Sequence, residues 1–266
     1  MMSFYGATWF YFETVKGLVP GHNPVIQSGR NMDIDAAVKE DIWDFGGDFN
    51  YLASAEQLDI ASDNINDAFG GTGAEEVTVM GLDGNLDFLQ EAINLNGTTP
   101  VTTTGSFFRV FRMVNTSSQD AQGTIDATAS ISAGSPQARI ITSAFNVFNE
   151  TQMSMFTVPN NMVGFILNWW GSMNSTTPGA SADPAATLEL FFRPVGEVFQ
   201  LKDARGVTRE GTSAFDLEFP CPLIVPEGAD IKIRAAVTDD GTDITGGYGM
   251  IVVDKSLISA LQIKQA

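Results

Sequence analysis

The side chains able to do chemistry are few and poorly placed for it. The single histidine, His22, sits in GLVPGHNP between two prolines, a loop setting that offers no positioned partner of the kind acid–base or nucleophilic catalysis needs. Cys221 stands alone, so the chain has no intramolecular disulfide and no Cys or Cys/His metal framework. Carboxylates are abundant, but neither Glu40, Asp41 and Asp44 nor Glu75 and Glu76 are marked out by spacing as a glycosidase pair. They read as solvated acidic surface. Two acidic loops carry enough oxygens to suggest Ca²⁺, one with Asp63, Asn64, Asn66 and Asp67, the other with Asp239, Asp240 and Asp243. Neither has EF-hand spacing, and Asp, Asn and Gly in such runs are explained by turn formation. No nucleophile-elbow, zincin, Walker or dinucleotide fingerprint occurs. The expectation is a non-enzymatic chain with no cofactor and no metal.

Composition sets the frame around these residues. At 266 residues and 44% hydrophobic content the chain can bury a real core, as one large β domain or two ordinary ones. Its net charge of −18, from 32 acidic and 14 basic residues, opposes any surface built to neutralise phosphates. Nucleic acid is not an expected partner. The opening MMSFYGATWFYFETVKGLVPGHNP lacks the basic and apolar regions of a signal peptide. The most apolar run, Met162 to Met173, is interrupted by Gly164, Asn168 and Gly171 and is shorter than the roughly 20 residues of a spanning helix. It reads as a strand, and no membrane partner is expected.

Most of the chain has strand character. Residues 34–45 place Ala37, Ile42 and Phe45 at loosely helical spacing and suggest a short helix or turn. From about Glu56 onward, short β-rich runs alternate with turn residues, as in a sandwich or barrel. Residues 75–82, 86–95 and 107–114 form a three-strand meander, with turns at Asp83-Gly84-Asn85 and Asn96-Gly97. After the polar stretch 115–124, eight or nine further strands fit a jelly-roll-like double sheet. The expected architecture is all-β: an N-terminal arm over 1–35, a smaller meander domain over 36–118 and a jelly-roll-like antiparallel sandwich over 119–266.

Apolar residues without an obvious cover are the candidate contact sites. Phe4, Tyr5, Trp9, Phe10 and Tyr11 crowd the N-terminus and need burial by their own domain or by a partner; an arm docking onto another chain is favoured. In 107–114 both strand faces are largely apolar, Phe107 and Phe111 sharing one of them, which fits a strand between two layers of one core or one facing a neighbouring subunit. Trp169 and Trp170 are adjacent on a strand and must point to opposite faces, one into the core and the other toward a subunit contact, a sugar or a covering loop.

Three stretches together resemble the β-rich virion structural proteins of tailed, particularly marine, bacteriophages: GLDGNLDFLQEAINLNGTTPVTTTGSFFRVFRM, NETQMSMFTVPNNMVGFILNWWGSMN, and ADIKIRAAV followed by GYGMIVVD. The sequence departs from that pattern at Pro159-Asn160-Asn161, where Pro-x-Gly is the commoner form. The resemblance implies a virion location, with assembly in the bacterial host cytoplasm, and partners among the major capsid protein or other virion proteins. A homotrimeric capsid decoration or cement protein is the leading expectation. A tail, collar or fibre component, or a carbohydrate-binding module for receptors, is the alternative.

Overall fold

The computed structural model describes residues 5–36, 38–132, 134–143, 146–175, 184–209 and 211–258. A helix, α1 (Tyr5–Val15), precedes β1 (His22–Ile34) and β2 (Lys39–Asp41). Seven strands of a second unit follow: β3 (Leu58–Ser62), β4 (Glu76–Leu82), β5 (Phe88–Asn94), β6 (Val101–Thr102), β7 (Arg109–Asn115), β8 (Ile125–Ala129) and β9 (Pro136–Ile140). Two short pairs of residues, β10 (Thr142–Ser143) and β11 (Asn146–Val147), make a hairpin, and β12 (Phe156–Thr157) leads back. The chain then runs through β13 (Met162–Ser175), β14 (Ala185–Arg193), β15 (Gln200–Thr208), β16 (Ala214–Val225), β17 (Asp230–Val237) and β18 (Thr242–Asp254).

The larger unit is an eight-stranded jelly roll. One sheet has the order β1-β18-β13-β16, and the other runs β2-β17-β14-β15 with β12 beside β2 on β17. Counting only β1, β2 and β13 to β18, the two sheets read 1-8-3-6 and 2-7-4-5, all antiparallel. Their facing sides close one core, with Ile166, Trp169, Tyr248 and Met250 from the first sheet against Leu188, Leu190, Ile231 and Ile233 from the second. The all-β class and the double-sheet arrangement therefore match the expectation.

The division of the chain does not follow the expected boundaries. β1, assigned to an arm over 1–35, is the first jelly-roll strand, and it pairs with β18 from His22↔Val253 to Ile34↔Thr242. Residues 34–45, read as a short helix or a turn, hold no helix among the described residues: β2 pairs with β17, turns flank it, and Ile34 and Ile42 both enter the jelly-roll core. Strand pairing to an edge decided this, which a local reading of 3.6 periodicity cannot see. The smaller unit, β3 to β9, is an insertion between β2 and β13 rather than an N-terminal domain. Its sheets β6-β3-β8-β9 and β5-β4-β7 close a separate core of Leu58, Ile60, Val79, Phe107, Met113 and Ile125.

Exit and return lie side by side. Trp43 bridges to Met153, the Ser154 amide donates to the Ile42 carbonyl at 3.0 Å, and Trp43, Phe49, Met153 and Met155 form a small cluster at the crossing. Gly29 of β1 belongs to the same crossing, since a Cβ there would lie 2.2 Å from the Ile42 carbonyl oxygen and 2.5 Å from the Ser154 nitrogen. Only glycine lets the three backbones meet this closely.

Candidate assembly surfaces and the ionic seam

The two sandwiches meet along β7 of the insert. Opposite this strand the β4 register slips between Met80 and Gly81, pairing Met80 with Arg112 and Gly81 with Val110, so Phe111 is the extra residue of a bulge. The bulge breaks simple alternation. Phe107, Val110 and Met113 all enter the insert core, whereas Phe111 turns against the jelly roll and meets Phe156 with ring centroids 4.9 Å apart. Both apolar faces of the strand are thus covered within one chain. Phe107 is fully buried and Phe111 half-buried, so of the two readings the strand follows the one between two layers within one chain, and Phe107 leaves the contact candidates.

Beside Phe111, Arg109 crosses the seam. Its Nε donates to Asp230 Oδ1 at 2.8 Å and its Nη1 to the carbonyls of Leu52 and Phe108. Asp230 also accepts from Arg193 and from the Thr157 hydroxyl. A buried carboxylate bonded to two guanidinium groups and a hydroxyl has its lone pairs used and its charge balanced. One strand turn along β17, Lys232 and Arg234 flank Asp41 of β2, with Lys232 Nζ 2.8 Å and Arg234 Nε 3.3 Å from Oδ1. Burial pushes the Asp41 carboxyl up and the Lys232 amine down from their ordinary values. Tyr51 lies between these groups, with Arg109 and Arg193 over its ring at 5.0 and 4.3 Å, and burial holds its phenol well above its usual range. Four of the chain's 14 basic residues are drawn into this seam, which leaves the outer surface more acidic still.

The acidic loops spend their oxygens on the chain itself. Asp67, fully buried, accepts from the Ser62 hydroxyl and from the amides of Ala74, Gln122 and Gly123. Such a carboxylate clamps two loop segments by their N–H groups and a third by a hydroxyl, and turns hydrogens, not lone pairs, toward the space a cation would take. Asp243 forms a two-point pair with Arg30, and Asp240 accepts from the Ala36 amide. Among the described residues no group of three or more His, Cys, Asp or Glu is placed to hold a metal ion. The His22 ring has the Pro20 carbonyl 3.0 Å from its Nδ1 and packs edge-on to Phe10.

Among the described residues three apolar surfaces bear on assembly. The first is the N-terminal segment, which forms α1 rather than an extended arm and lies against β1 on the outer side of the first jelly-roll sheet. Phe4 lies outside the described residues, and Tyr5 and Trp9 fall on the helix. Phe10, Tyr11, Phe12, Val15 and the following Leu18 are 38–67% exposed. A groove of about 300 Å³ runs beneath, between Phe10 and the outward residues Phe165, Leu167 and Ile251. The second is a cleft of about 540 Å³ between the sandwiches, where Ile26, Leu86, Phe88, Phe111 and Met162 line the walls. The third is the tip of the insert, with Ile65 and Phe69 exposed. The tryptophan pair splits as alternation requires. Trp169 is fully buried, with its Nε1 donating to Asp203 at 2.9 Å, so it is removed from the contact candidates. Trp170 faces outward, half-buried, in the space that a side chain at Gly247 would fill. No helix among the described residues is long and apolar enough to cross a membrane.

No protein-family model matches the sequence, and no curated protein does. Among solved structures the chain is similar to that of infectious bursal disease virus Gt strain, at 9% identity over 90% of this chain and 75% of that one, with a TM-score of 0.21. It is also similar to the VP2 subviral particle of infectious bursal disease virus, at 10% identity over 90% and 73% of the two chains, with a TM-score of 0.18. Likeness at this level carries no argument about what this chain does.

Proposed function

We propose that the chain is a non-enzymatic structural component of a tailed-phage particle, most specifically a decoration or cement protein that sits on the shell formed by the major capsid protein and associates with copies of itself, as a trimer. The observation that carries this reading is the exposed aromatic surface of α1, laid over the outer sheet of a jelly roll. The jelly roll is an architecture shared by capsid proteins, lectins and cupins, so topology alone does not choose among them. Phe10, Tyr11, Phe12, Val15 and Leu18 form an apolar patch on a chain of net charge −18, and such a patch is accounted for by a partner. Burial of this patch against sister subunits or the shell also lends the fold stability by mass action.

A carbohydrate-binding reading loses support from the tryptophans, because Trp169 is enclosed and Trp170 lies flat on its own sheet. The deciding experiment is quantitative mass spectrometry of purified particles against the major capsid protein. A decoration protein is present at a copy number of the order of the capsomers. A far smaller number moves the same fold to the tail, collar or fibres, and absence from particles rejects the reading.

A further inference from the structure

We propose that Lys232 and Asp41 condense within the folded chain, joining Nζ to Cγ in an intramolecular isopeptide bond that links β2 covalently to β17. Both side chains are enclosed, Asp41 at 0% and Lys232 at 6% exposure. Nζ lies 2.8 Å from Oδ1 and 3.0 Å from Oδ2, so the amine is held against both oxygens of the carboxyl carbon it would attack, the proximity that makes such a step effectively intramolecular. The reacting strands are hydrogen-bonded neighbours in fixed register, Arg234 opposite Asp41, so the amine is held against the carbon without loop closure.

The surroundings supply the rest. The Phe49 amide donates to Oδ2 at 2.8 Å, and the Arg234 guanidinium, its Nε 3.3 Å from Oδ1 without a hydrogen bond, sets a positive charge beside the oxygens where charge develops on attack. Asp48 balances Arg234 from the solvent side. The Phe199 ring, 4.5 Å from Nζ, and the ring of the half-buried Tyr51, 6.0 Å away, keep the amine from water. Burial favours the neutral forms of both partners. A proton passing from Nζ to Oδ2 along their 3.0 Å hydrogen bond converts the ion pair into a free amine and a carboxylic acid, so no outside base is required. Attack of Nζ on Cγ then forms the C–N bond, and a second proton moves from nitrogen to the departing oxygen. The C–O bond breaks, one water leaves, and nothing is oxidised or reduced.

The test is the intact mass of the purified full-length chain after days at neutral pH, measured under denaturing conditions. The expected result is a chain lighter than its sequence by one water, with a branched peptide joining the Asp41 and Lys232 segments on digestion. Lys232→Arg, which keeps the cation but removes the primary amine, and Asp41→Ala are expected to show the full sequence mass. The branched peptide from the unaltered chain stands whether or not the variants fold. An unaltered chain at its full sequence mass, or a loss of water mapped to other residues, overturns the proposal.

Discussion

At the scale of single residues, Asp44 and Asp230 are both enclosed carboxylates with opposite consequences. Asp44 accepts from the Gln152 amide where the chain returns from the insert, but its Oδ1 is buried without a hydrogen-bond partner, and burial pushes its pKa from 3.8 up to about 8. The folded state therefore keeps a proton that the unfolded chain gives up near 3.8. This contribution to stability is complete below that value and is lost as pH rises toward about 8. Asp44→Asn, neutral throughout, is expected to flatten this part of the pH dependence and to raise the denaturant midpoint above pH 8, as urea titrations at several pH values will measure. Asp230 is instead fully partnered by Arg109, Arg193 and Thr157. Asp230→Ala leaves Arg109 enclosed without its counter-charge and is expected to cost about 3–5 kcal/mol in equilibrium unfolding.

At the scale of elements, the bulge in β7 and the helix α1 matter most. The bulge lets one strand serve two cores, sending Phe107 into the insert and Phe111 to the jelly roll. A bulge is invisible in a pattern of apolar residues, which is why Phe107 and Phe111 read as candidates for a subunit contact. α1 takes no part in any sheet, so deleting residues 1–15 is expected to leave the β circular dichroism signal unchanged. The same deletion is expected to abolish self-association in light scattering and to weaken particle binding; unchanged association would assign these contacts elsewhere. At the β16 edge of the first jelly-roll sheet Pro220 and Pro222 remove ladder donors from a strand that, among the described residues, is bonded to β13 alone.

At the scale of the whole molecule, charge and nesting dominate. A net charge of −18 repels itself in the compact state, and salt screens exposed charges beyond a Debye length of about 8 Å at physiological ionic strength. The melting temperature is therefore expected to rise from low to physiological salt, which differential scanning calorimetry will measure. The enclosed seam, screened far less, does not reverse that sign. Nesting places the insert on the jelly roll through Arg109 and Phe111 rather than through a flexible tether, with exit and return pinned by Ile42, Ser154 and Gly29.

Period-two patterning and turn residues were enough to determine the all-β class, most strands after Glu56 and the opposite facing of Trp169 and Trp170, because those signals act between near neighbours. The same local signals placed a boundary near residue 118 and read 1–35 as an arm. Only the tertiary structure decided that β1 closes against β18, more than two hundred residues away in the sequence, and that the meander is an insertion. It alone brought Asp41 to Lys232 and Arg109 to Asp230. Pairing across such separations is set by which edges and faces remain unfilled once the sheets assemble, a property of the packed whole that no window of sequence contains.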